Sequence, residues 1–228
     1  MGALPPLEAL HCQTCMGASI SMAHGMNKVV TPTDDARGRE RAVAVIGDST
    51  FLHSGITSLM DVAYNRSRTL TIITDNRTTA MTGGQEHAGM GRTIKGEPAP
   101  EVDIPALCRA LGIPRVTTVN PYNLDEVERV LREELAADGP AVVVAQAPCV
   151  LEYKVKWPAY SVDPDLCTGC KRCLQAGCTA LNLVVDAEDK PRVEISADQC
   201  AGCGVCAQLC RQGAIEQPAA SSGQREAK

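Results

Sequence analysis

The sequence has few aromatic residues, no long apolar run and no excess of positive charge, and each absence narrows the possible functions. Aromatic residues make up 3% of the 228 residues, so aliphatic side chains and methionines must fill the core. The net charge of -5 disfavours nucleic-acid binding, because that affinity comes from clustered Lys and Arg. With no run of about 18 apolar residues and no secretion-signal pattern, we expect a cytoplasmic chain that does not cross a membrane.

Cysteine, in contrast, is abundant, and most of the 12 cysteines fall in two similar runs. Each run has three cysteines separated by two residues, with a fourth cysteine a few residues later. The runs are Cys167, Cys170, Cys173 and Cys178, then Cys200, Cys203, Cys206 and Cys210. Regular gaps of this kind in a cytosolic chain favour metal binding over a disulfide framework.

The two runs predict two [4Fe-4S] clusters, because three closely spaced thiolates can bind one cubane while the fourth ligand comes from the other run. The first cluster is predicted to be bound by Cys167, Cys170, Cys173 and Cys210. The second is predicted to be bound by Cys178, Cys200, Cys203 and Cys206. Paired zinc sites are the alternative, but four-coordinate zinc needs no third cysteine at the same gap. Thr179 and Arg211 replace the proline usual in bacterial ferredoxin motifs, and Cys178 comes one residue late.

Before the cysteine runs, predicted strands alternate with predicted helices. The strands are residues 41–46, 69–74, 115–119 and 141–146, and the helices are residues 16–28, 50–65, 104–111 and 124–137. This alternation predicts an α/β fold with a parallel sheet. The charged residues of the last helix, Glu134 among them, are predicted to face solvent. The polar, glycine-rich stretch 75–96 is longer than an ordinary connection, and we expect it to be functional.

The predicted domains follow from these patterns. Residues 1–150 form the α/β domain, residues 151–164 a linker, residues 165–216 a small two-cluster ferredoxin domain, and residues 217–228 a disordered tail. The helix at 16–28 lacks the strand and turn that normally precede such a helix. The α/β domain is therefore expected to be incomplete at its N-terminus, as in a fragment of a longer subunit.

Polar residues follow the first two predicted strands, at the edge where open α/β sheets bind ligands. Gly47-Asp48-Ser49 and, after the second strand, Asn76 resemble the GDG...N motif of thiamine-diphosphate enzymes. Magnesium prefers oxygen ligands, so we predict that the Asp48 carboxylate, the Asn76 amide oxygen and the Thr78 carbonyl bind Mg²⁺ on the diphosphate. The other predicted cofactor-binding residues are Gly47, Ser49, Gly83, Gly84 and Gln85.

Longer motifs carry a more specific resemblance. The segments GDSTFLHSG, TDNRTTAMTGGQEHAG and CMGASISMAHG, followed by the paired ferredoxin motifs, resemble the alpha subunit of indolepyruvate:ferredoxin oxidoreductases over nearly the whole chain. The loop departs from the STTAMTG-like pattern of that family at Arg77. The resemblance implies oxidative decarboxylation of an aryl-2-oxoacid with coenzyme A, giving an aryl-acetyl thioester, carbon dioxide and reduced ferredoxin. It also implies a smaller beta subunit, an external ferredoxin, and an N-terminal pyrimidine-binding domain with the glutamate that activates the cofactor.

Two other functions stay open. A pyruvate or other 2-oxoacid oxidoreductase would keep every ligand named above, with a different substrate pocket. An electron-transfer protein would keep the clusters without the cofactor, although Asp48 and Asn76 argue against that reading.

No acid–base residue is assigned from the sequence. His53 and His87 are predicted to cap helices or line loops rather than to relay protons, and His24 is predicted to pack within its helix. The remaining cysteines are predicted to be free thiols or small packing residues: Cys12, Cys15, Cys108 and Cys149.

Overall fold

The computed structural model describes residues 3–30, 41–155 and 157–217. Apart from Gln217, the predicted disordered tail lies outside the described residues. The chain forms two compact units: one within Gln13–Lys154, and one that joins Val155–Lys228 with Met1–Cys12. In the described part of the chain, no helix is long and apolar enough to cross a membrane.

The larger unit contains a four-stranded parallel sheet, which confirms the predicted fold class. Its strands are β1 (Ala42–Gly47), β2 (Thr69–Asp75), β3 (Arg115–Val119) and β4 (Ala141–Gln146), arranged in the order β1-β2-β4-β3. Gly47 pairs with Thr74, and Asp75 pairs with Gln146. Strands β1, β2 and β4 therefore end at the same edge of the sheet.

Helices connect these strands, and most lie close to the predicted ranges. They are α1 (Ala18–Val30), α2 (residues 48–64), α3 (Ile104–Ala110) and α4 (Leu124–Ala136). The prediction was wrong at the start of α2, where the helix was expected to begin at residue 50. Asp48–Thr50 is already α-helical, Phe51–Gly55 is a π-helical turn, and Ile56–Tyr64 completes the helix.

The π-helical turn lies against β1, and Gly55 permits the close approach. A Cβ atom added at Gly55 would be 2.8 Å from the Phe51 ring and 3.0 Å from the Ile46 side chain. Such turns are frequent at functional sites, since they shift the side chains of one helical turn by a residue. This turn immediately follows Asp48, the first residue of α2.

Apolar residues pack on both faces of the sheet, as expected for parallel strands covered by helices. Strand β4 illustrates the alternation: Val142 and Val144 pack in one core cluster with Phe51 and Leu59. Val143 packs in the other cluster with Val130 of α4. The sheet core therefore holds the strand ends in fixed register.

The prediction that Glu134 faces solvent was wrong, since the residue is only 4% exposed. It lies four residues after buried Val130, so both residues share the inner face of α4. Its carboxylate accepts hydrogen bonds from Arg115 Nε at 2.7 Å and Arg115 Nη2 at 3.1 Å. Pairing with Arg115 on β3 offsets the cost of burying the charge.

The smaller unit is built from short elements around the cysteines. They are β5 (Ser161–Val162), a 3₁₀ turn (Arg172–Ala176), β6 (Leu181–Val185), β7 (Pro191–Ile195), α5 (Val205–Leu209) and β8 (Ile215–Glu216). Strands β6 and β7 form an antiparallel hairpin, and β5 pairs with β8. The core contains Cys173, Leu181, Val193 and Ile215.

Two features of this unit differ from the sequence-based division. Strand β5 lies inside the stretch 151–164 that was predicted as a linker. Residues 3–12 group with this unit and not with the α/β domain. The Leu7 side chain would lie 3.4 Å from a Cβ atom added at Gly177. Residues 3–12 therefore contact this unit through a residue that is distant in the sequence.

Candidate cofactor and cluster sites

The first candidate site lies where β1 and β2 end at the same edge of the sheet. The Asp48 side chain is 4% exposed there. Its carboxylate oxygens accept hydrogen bonds from the backbone N–H of Ser49 at 2.8 Å and of Arg77 at 2.9 Å. Burial raises the pKa of Asp48 above its ordinary value, whereas the Ser49 hydrogen bond and nearby His87 act in the opposite direction.

The loop after β2 brings its polar groups to this carboxylate. Asn76 Oδ1 accepts a hydrogen bond from the Thr78 N–H at 3.1 Å, and Arg77 between them has a φ of 61°. Thr79 Oγ1 donates to Ser49 Oγ at 2.9 Å, which ties the loop to the start of α2. The structure thus brings together the three residues predicted to bind magnesium: Asp48, Asn76 and Thr78.

The glycine pair of the TGGQ segment closes a narrow loop beside Thr79. The Gly84 N–H donates to the Thr79 carbonyl at 3.2 Å, and the Thr79 N–H donates to the Gln85 carbonyl at 3.1 Å. Gly83 and Gly84 have φ values of 113° and 79°, a region that favours glycine. The Gln85 side-chain amide donates to the Thr82 carbonyl at 2.5 Å. Gln85 therefore uses its amide inside the loop.

His87 belongs to the same site. Its Nε2 is 3.3 Å from Asp48 Oδ2, and the two side chains are 7% and 4% exposed. The Gly89 N–H donates to His87 Nδ1 at 3.1 Å, so the proton of a neutral ring is assigned to Nε2. The distance suits an ion pair, but the geometry is not that of a hydrogen bond, and Nε2 has no hydrogen-bond partner.

His53 and His24 lie elsewhere. His53 is exposed within the π-helical turn. His24 Nδ1 is 2.7 Å from Ser67 Oγ, a packing contact of α1.

Buried polar atoms without partners show what kind of group fits this site. Thr78 Oγ1 and His87 Nε2 are buried and have no hydrogen-bond partner. Leaving such groups unpaired costs free energy, so they fit a ligand that offers acceptor oxygens, as a diphosphate does. The Asp48 carboxylate and the amide and carbonyl oxygens of the loop are the donors that Mg²⁺ prefers. The residues present therefore fit thiamine diphosphate with magnesium.

Sequence reasoning missed two residues of this site, Asp75 and Gln146. Asp75 is 3% exposed, and its Oδ2 accepts a hydrogen bond from Gln146 Nε2 at 2.7 Å. Its Oδ1 accepts from the Arg77 N–H at 3.2 Å. Both residues end a strand, which was visible in the sequence, but the pairing of β2 with β4 was not.

The second candidate site is formed by cysteines from both runs. One group lines a single pocket together with Val162, Val193 and Ile215; its cysteines are Cys167, Cys170, Cys173 and Cys210. Burial raises the pKa of Cys173, and nearby Cys210, Cys167 and Cys170 add to the shift. The backbone N–H of Arg172 lowers the pKa of Cys170. Cys210 thus lies with cysteines of the first run although it belongs to the second.

The other cysteine group is centred on Cys206, whose pKa responds to three nearby thiols. The pKa of Cys206 is raised to about 11, by burial first and then by nearby Cys203, Cys200 and Cys178. Because such an effect acts only at short range, Cys178 lies near Cys206, although it belongs to the first run. Bound iron reverses this balance, since a coordinating thiol loses its proton.

Each cysteine group offers four thiols, the number of protein ligands that a [4Fe-4S] cluster needs. In the described residues, no three His, Cys, Asp or Glu side chains are close enough together to hold a single metal ion. A [4Fe-4S] cubane is bound through four cysteine thiolates. The free thiols of both groups therefore fit [4Fe-4S] clusters.

Gly169→Ala is expected to disrupt the first cysteine loop. Gly169 has a φ of 66°, and a Cβ atom there would lie 2.1 Å from the Pro191 carbonyl oxygen of β7. Gly213→Ala is the matched control, because Gly213 has the same φ of 66° with nothing within 4 Å of an added Cβ. The control bears only the backbone cost of about 1–2 kcal/mol. The midpoint temperature of thermal unfolding and the iron content should both fall further in Gly169→Ala than in Gly213→Ala. Equal effects in the two variants would contradict the steric explanation.

Comparison with known proteins gives two family matches. The family model described as thiamine pyrophosphate enzyme, C-terminal TPP binding domain, matches residues 4–145. The model described as 4Fe-4S binding domain matches residues 193–216, which contain the second cysteine run.

Several curated proteins are similar over almost the entire chain. The indolepyruvate oxidoreductase subunit IorA of Pyrococcus horikoshii is 39% identical over 232 residues, covering 95% of this chain and 35% of that protein. The subunits of the same name from Thermococcus kodakarensis and Archaeoglobus fulgidus are each 38% identical, covering 95% and 97% of this chain and 35% and 34% of those proteins. The chain thus spans about a third of the length of the curated relatives it matches.

Proposed function

The chain belongs to the thiamine pyrophosphate enzyme family, whose C-terminal TPP binding domain matches more than half of its length, and we propose that it is part of a 2-oxoacid:ferredoxin oxidoreductase. One observation carries this proposal. The same chain holds a buried carboxylate site at the end of a parallel sheet and a unit with two groups of four cysteines. The first suits thiamine diphosphate, and the second suits one-electron carriers.

The proposed reaction is the oxidative decarboxylation of an aryl-2-oxoacid of the indolepyruvate type. One 2-oxoacid and one coenzyme A give an acyl-CoA thioester, carbon dioxide and a proton, while two electrons reduce two ferredoxins. The names of the curated relatives support this choice of substrate. Because the two electrons leave singly, the reaction needs one-electron carriers such as [4Fe-4S] clusters.

When bound, thiamine diphosphate supplies the nucleophilic carbon and the electron sink for decarboxylation. The chain's own residues bind and orient it. We assign Asp48, Asn76 and the Thr78 carbonyl as Mg²⁺ ligands. The unpaired Thr78 hydroxyl and His87 Nε2 are suited to donate to phosphate oxygens. The remaining assigned residues shape the loops around the diphosphate: Gly47, Ser49, Gly83, Gly84 and Gln85.

Electrons are proposed to leave through two clusters in the smaller unit. The first is assigned to Cys167, Cys170, Cys173 and Cys210. The second is assigned to Cys178, Cys200, Cys203 and Cys206. Each ligand set takes three cysteines from one run and one from the other. Each cluster therefore links the two runs and stabilises the fold of the whole smaller unit.

The chain is proposed to act with other protein parts. Since it spans about a third of its curated relatives, we expect a pyrimidine-binding region elsewhere in the same protein to complete the cofactor site. A smaller beta subunit and an external ferredoxin are the proposed partners, and the cytoplasm is the proposed location.

The test is anaerobic cluster reduction in the complete enzyme with its partner subunit. Thiamine diphosphate, Mg²⁺ and coenzyme A are added, and bleaching of the cluster absorbance is followed with indolepyruvate or pyruvate. Faster bleaching by indolepyruvate is the expected result. Preference for pyruvate would instead indicate a pyruvate-type enzyme. No bleaching by either substrate, with intact clusters, would indicate an electron carrier without its own chemistry.

A further inference from the structure

Arg77 lies between two of the assigned magnesium ligands and has no role in the function proposed so far. We propose that Arg77 is a positioning residue that fixes Asn76 and Thr78 for metal binding before the cofactor arrives. Glu101 and Tyr153 hold Arg77 in place. The identity of the bound group rests on the proposed function, but the fixed loop is a property of the chain alone.

The backbone of Arg77 is held on both sides. Its N–H lies 2.9 Å from Asp48 Oδ2 and 3.2 Å from Asp75 Oδ1, and its carbonyl accepts a hydrogen bond from the Tyr153 hydroxyl at 2.9 Å. Its φ of 61° is in the left-handed region, which costs an L-residue with a Cβ about 1–2 kcal/mol. The conformation therefore depends on contacts that offset this cost.

The side chain of Arg77 supplies those contacts. Its Nη1 donates to Glu101 Oε1 and, at 3.2 Å, to the Gly89 carbonyl, while Nε is 3.4 Å from Asp75 Oδ2. The side chain is 29% exposed, so these contacts are only partly screened by solvent. A planar guanidinium can make all three at once because its donors point in fixed directions. The loop of residues 76–79, called the metal loop below, is thus held to Gly89 and Glu101, which lie 12 and 24 residues further along the chain than Arg77.

The same contacts separate the roles of two buried carboxylates. Asp48 and Asp75 are 3% exposed each, and both lie beside the metal loop. Asp75 has its oxygens occupied by Arg77 and by Gln146 Nε2 at 2.7 Å. Arg77 also offsets the negative charge of Asp75. Asp48, in contrast, accepts its hydrogen bonds from the backbone N–H groups of Ser49 and Arg77, and the Arg77 guanidinium pairs with Asp75 instead. Asp48 therefore keeps its negative charge for a cation, and Asp75 supports it indirectly.

Arg77 is also the position at which this loop departs from the STTAMTG-like pattern described above. A serine side chain is too short to reach a partner such as Glu101. The contacts of Arg77 can be removed by substitution without changing any assigned metal ligand.

The experiment compares Arg77→Ala, Arg77→Lys and Glu101→Gln in the full-length protein. Glu133→Gln is the matched control, because it breaks a similar pair with Arg129 on the exposed face of α4. The first measurement is amide hydrogen exchange of residues 76–79 without cofactor. The second is the Mg²⁺ concentration that half-saturates thiamine diphosphate binding, measured by calorimetry.

We expect faster exchange of the loop amides in Arg77→Ala and Glu101→Gln, with partial recovery in Arg77→Lys. The half-saturating Mg²⁺ concentration should rise roughly 10–100-fold, the usual effect of removing an outer partner of a metal ligand. Saturating Mg²⁺ should restore cofactor binding, because no ligand is lost. The control Glu133→Gln should match the unchanged protein in both measurements.

The outcomes separate this inference from the proposed function. Unchanged exchange in Arg77→Ala and Glu101→Gln would overturn the positioning role, whether or not thiamine diphosphate binds. Weaker binding that saturating Mg²⁺ fails to restore would also overturn it, because that result indicates general damage to the fold. Faster loop exchange in a protein whose unchanged form binds no thiamine diphosphate would support the fixed loop and count against the proposed function only.

Discussion

Asp48→Ala is expected to abolish thiamine diphosphate retention while leaving the iron–sulfur absorbance intact. Asp48 is the one charged group among the three assigned Mg²⁺ ligands, and its carboxylate also accepts hydrogen bonds from the Ser49 and Arg77 N–H groups. The substitution therefore removes a ligand and releases the loop that carries the other two. The loss of affinity should exceed the roughly 10–100-fold caused by removing an outer partner of a ligand.

The measurement is cofactor content after gel filtration in Mg²⁺, together with the visible absorbance of the clusters. Asp48→Asn separates the charge from the volume of the side chain, and it should also lose the cofactor. Asp61→Ala is the control, because Asp61 is an exposed aspartate on the same helix. Loss of cofactor and clusters together in Asp48→Ala would show that the two sites do not fold independently, contrary to the two-unit structure.

Cys210→Ser is expected to damage the first cluster, although Cys210 belongs to the second cysteine run. Cys210 lines the pocket of Cys167, Cys170 and Cys173, so its loss removes the fourth ligand of that group. The reciprocal change, Cys178→Ser, should damage the cluster of the second run, since Cys178 lies with Cys206. In each variant, iron content should fall toward half.

A second substitution identifies which cluster survives. In the Cys210→Ser background, Cys203→Ser should remove the remaining paramagnetic signal of the reduced protein, and Cys170→Ser should leave it. Cys12→Ser, which changes an exposed free thiol, is the control and should keep both clusters. The reverse pattern of signals would show that each run binds its own cluster with all four cysteines.

Local patterns predicted much of this structure. Strands β2 to β4 begin at the predicted residues and end within one residue of the predicted positions, because continuous runs of β-branched residues specify buried parallel strands. The sequence predicted that Asp48 and Asn76 lie at the same edge of the sheet, because each residue comes shortly after a predicted strand. The two cysteine runs were recognised from their regular gaps, because these gaps are a property of the sequence alone.

Other features depend on contacts that no local pattern contains. Glu134 was assigned to solvent because charged residues surround it, yet its spacing from Val130 places it on the inner face, where Arg115 pairs with it. His87 was predicted to cap a helix or line a loop, and it does lie in a loop, but its position 3.3 Å from Asp48 could not be read from the sequence. In both cases the deciding partner is far away in the sequence.

The sequence by itself determined the α/β class, the strand ends that carry Asp48 and Asn76, and the two cysteine runs, since each depends on short-range spacing. Only the tertiary structure decided that β4 lies beside β2, that Gln146 therefore meets Asp75, and that Arg77 reaches Glu101. Strand order and side-chain contacts across long loops follow from how the whole core packs. The burial of the Asp48 site is set by that packing.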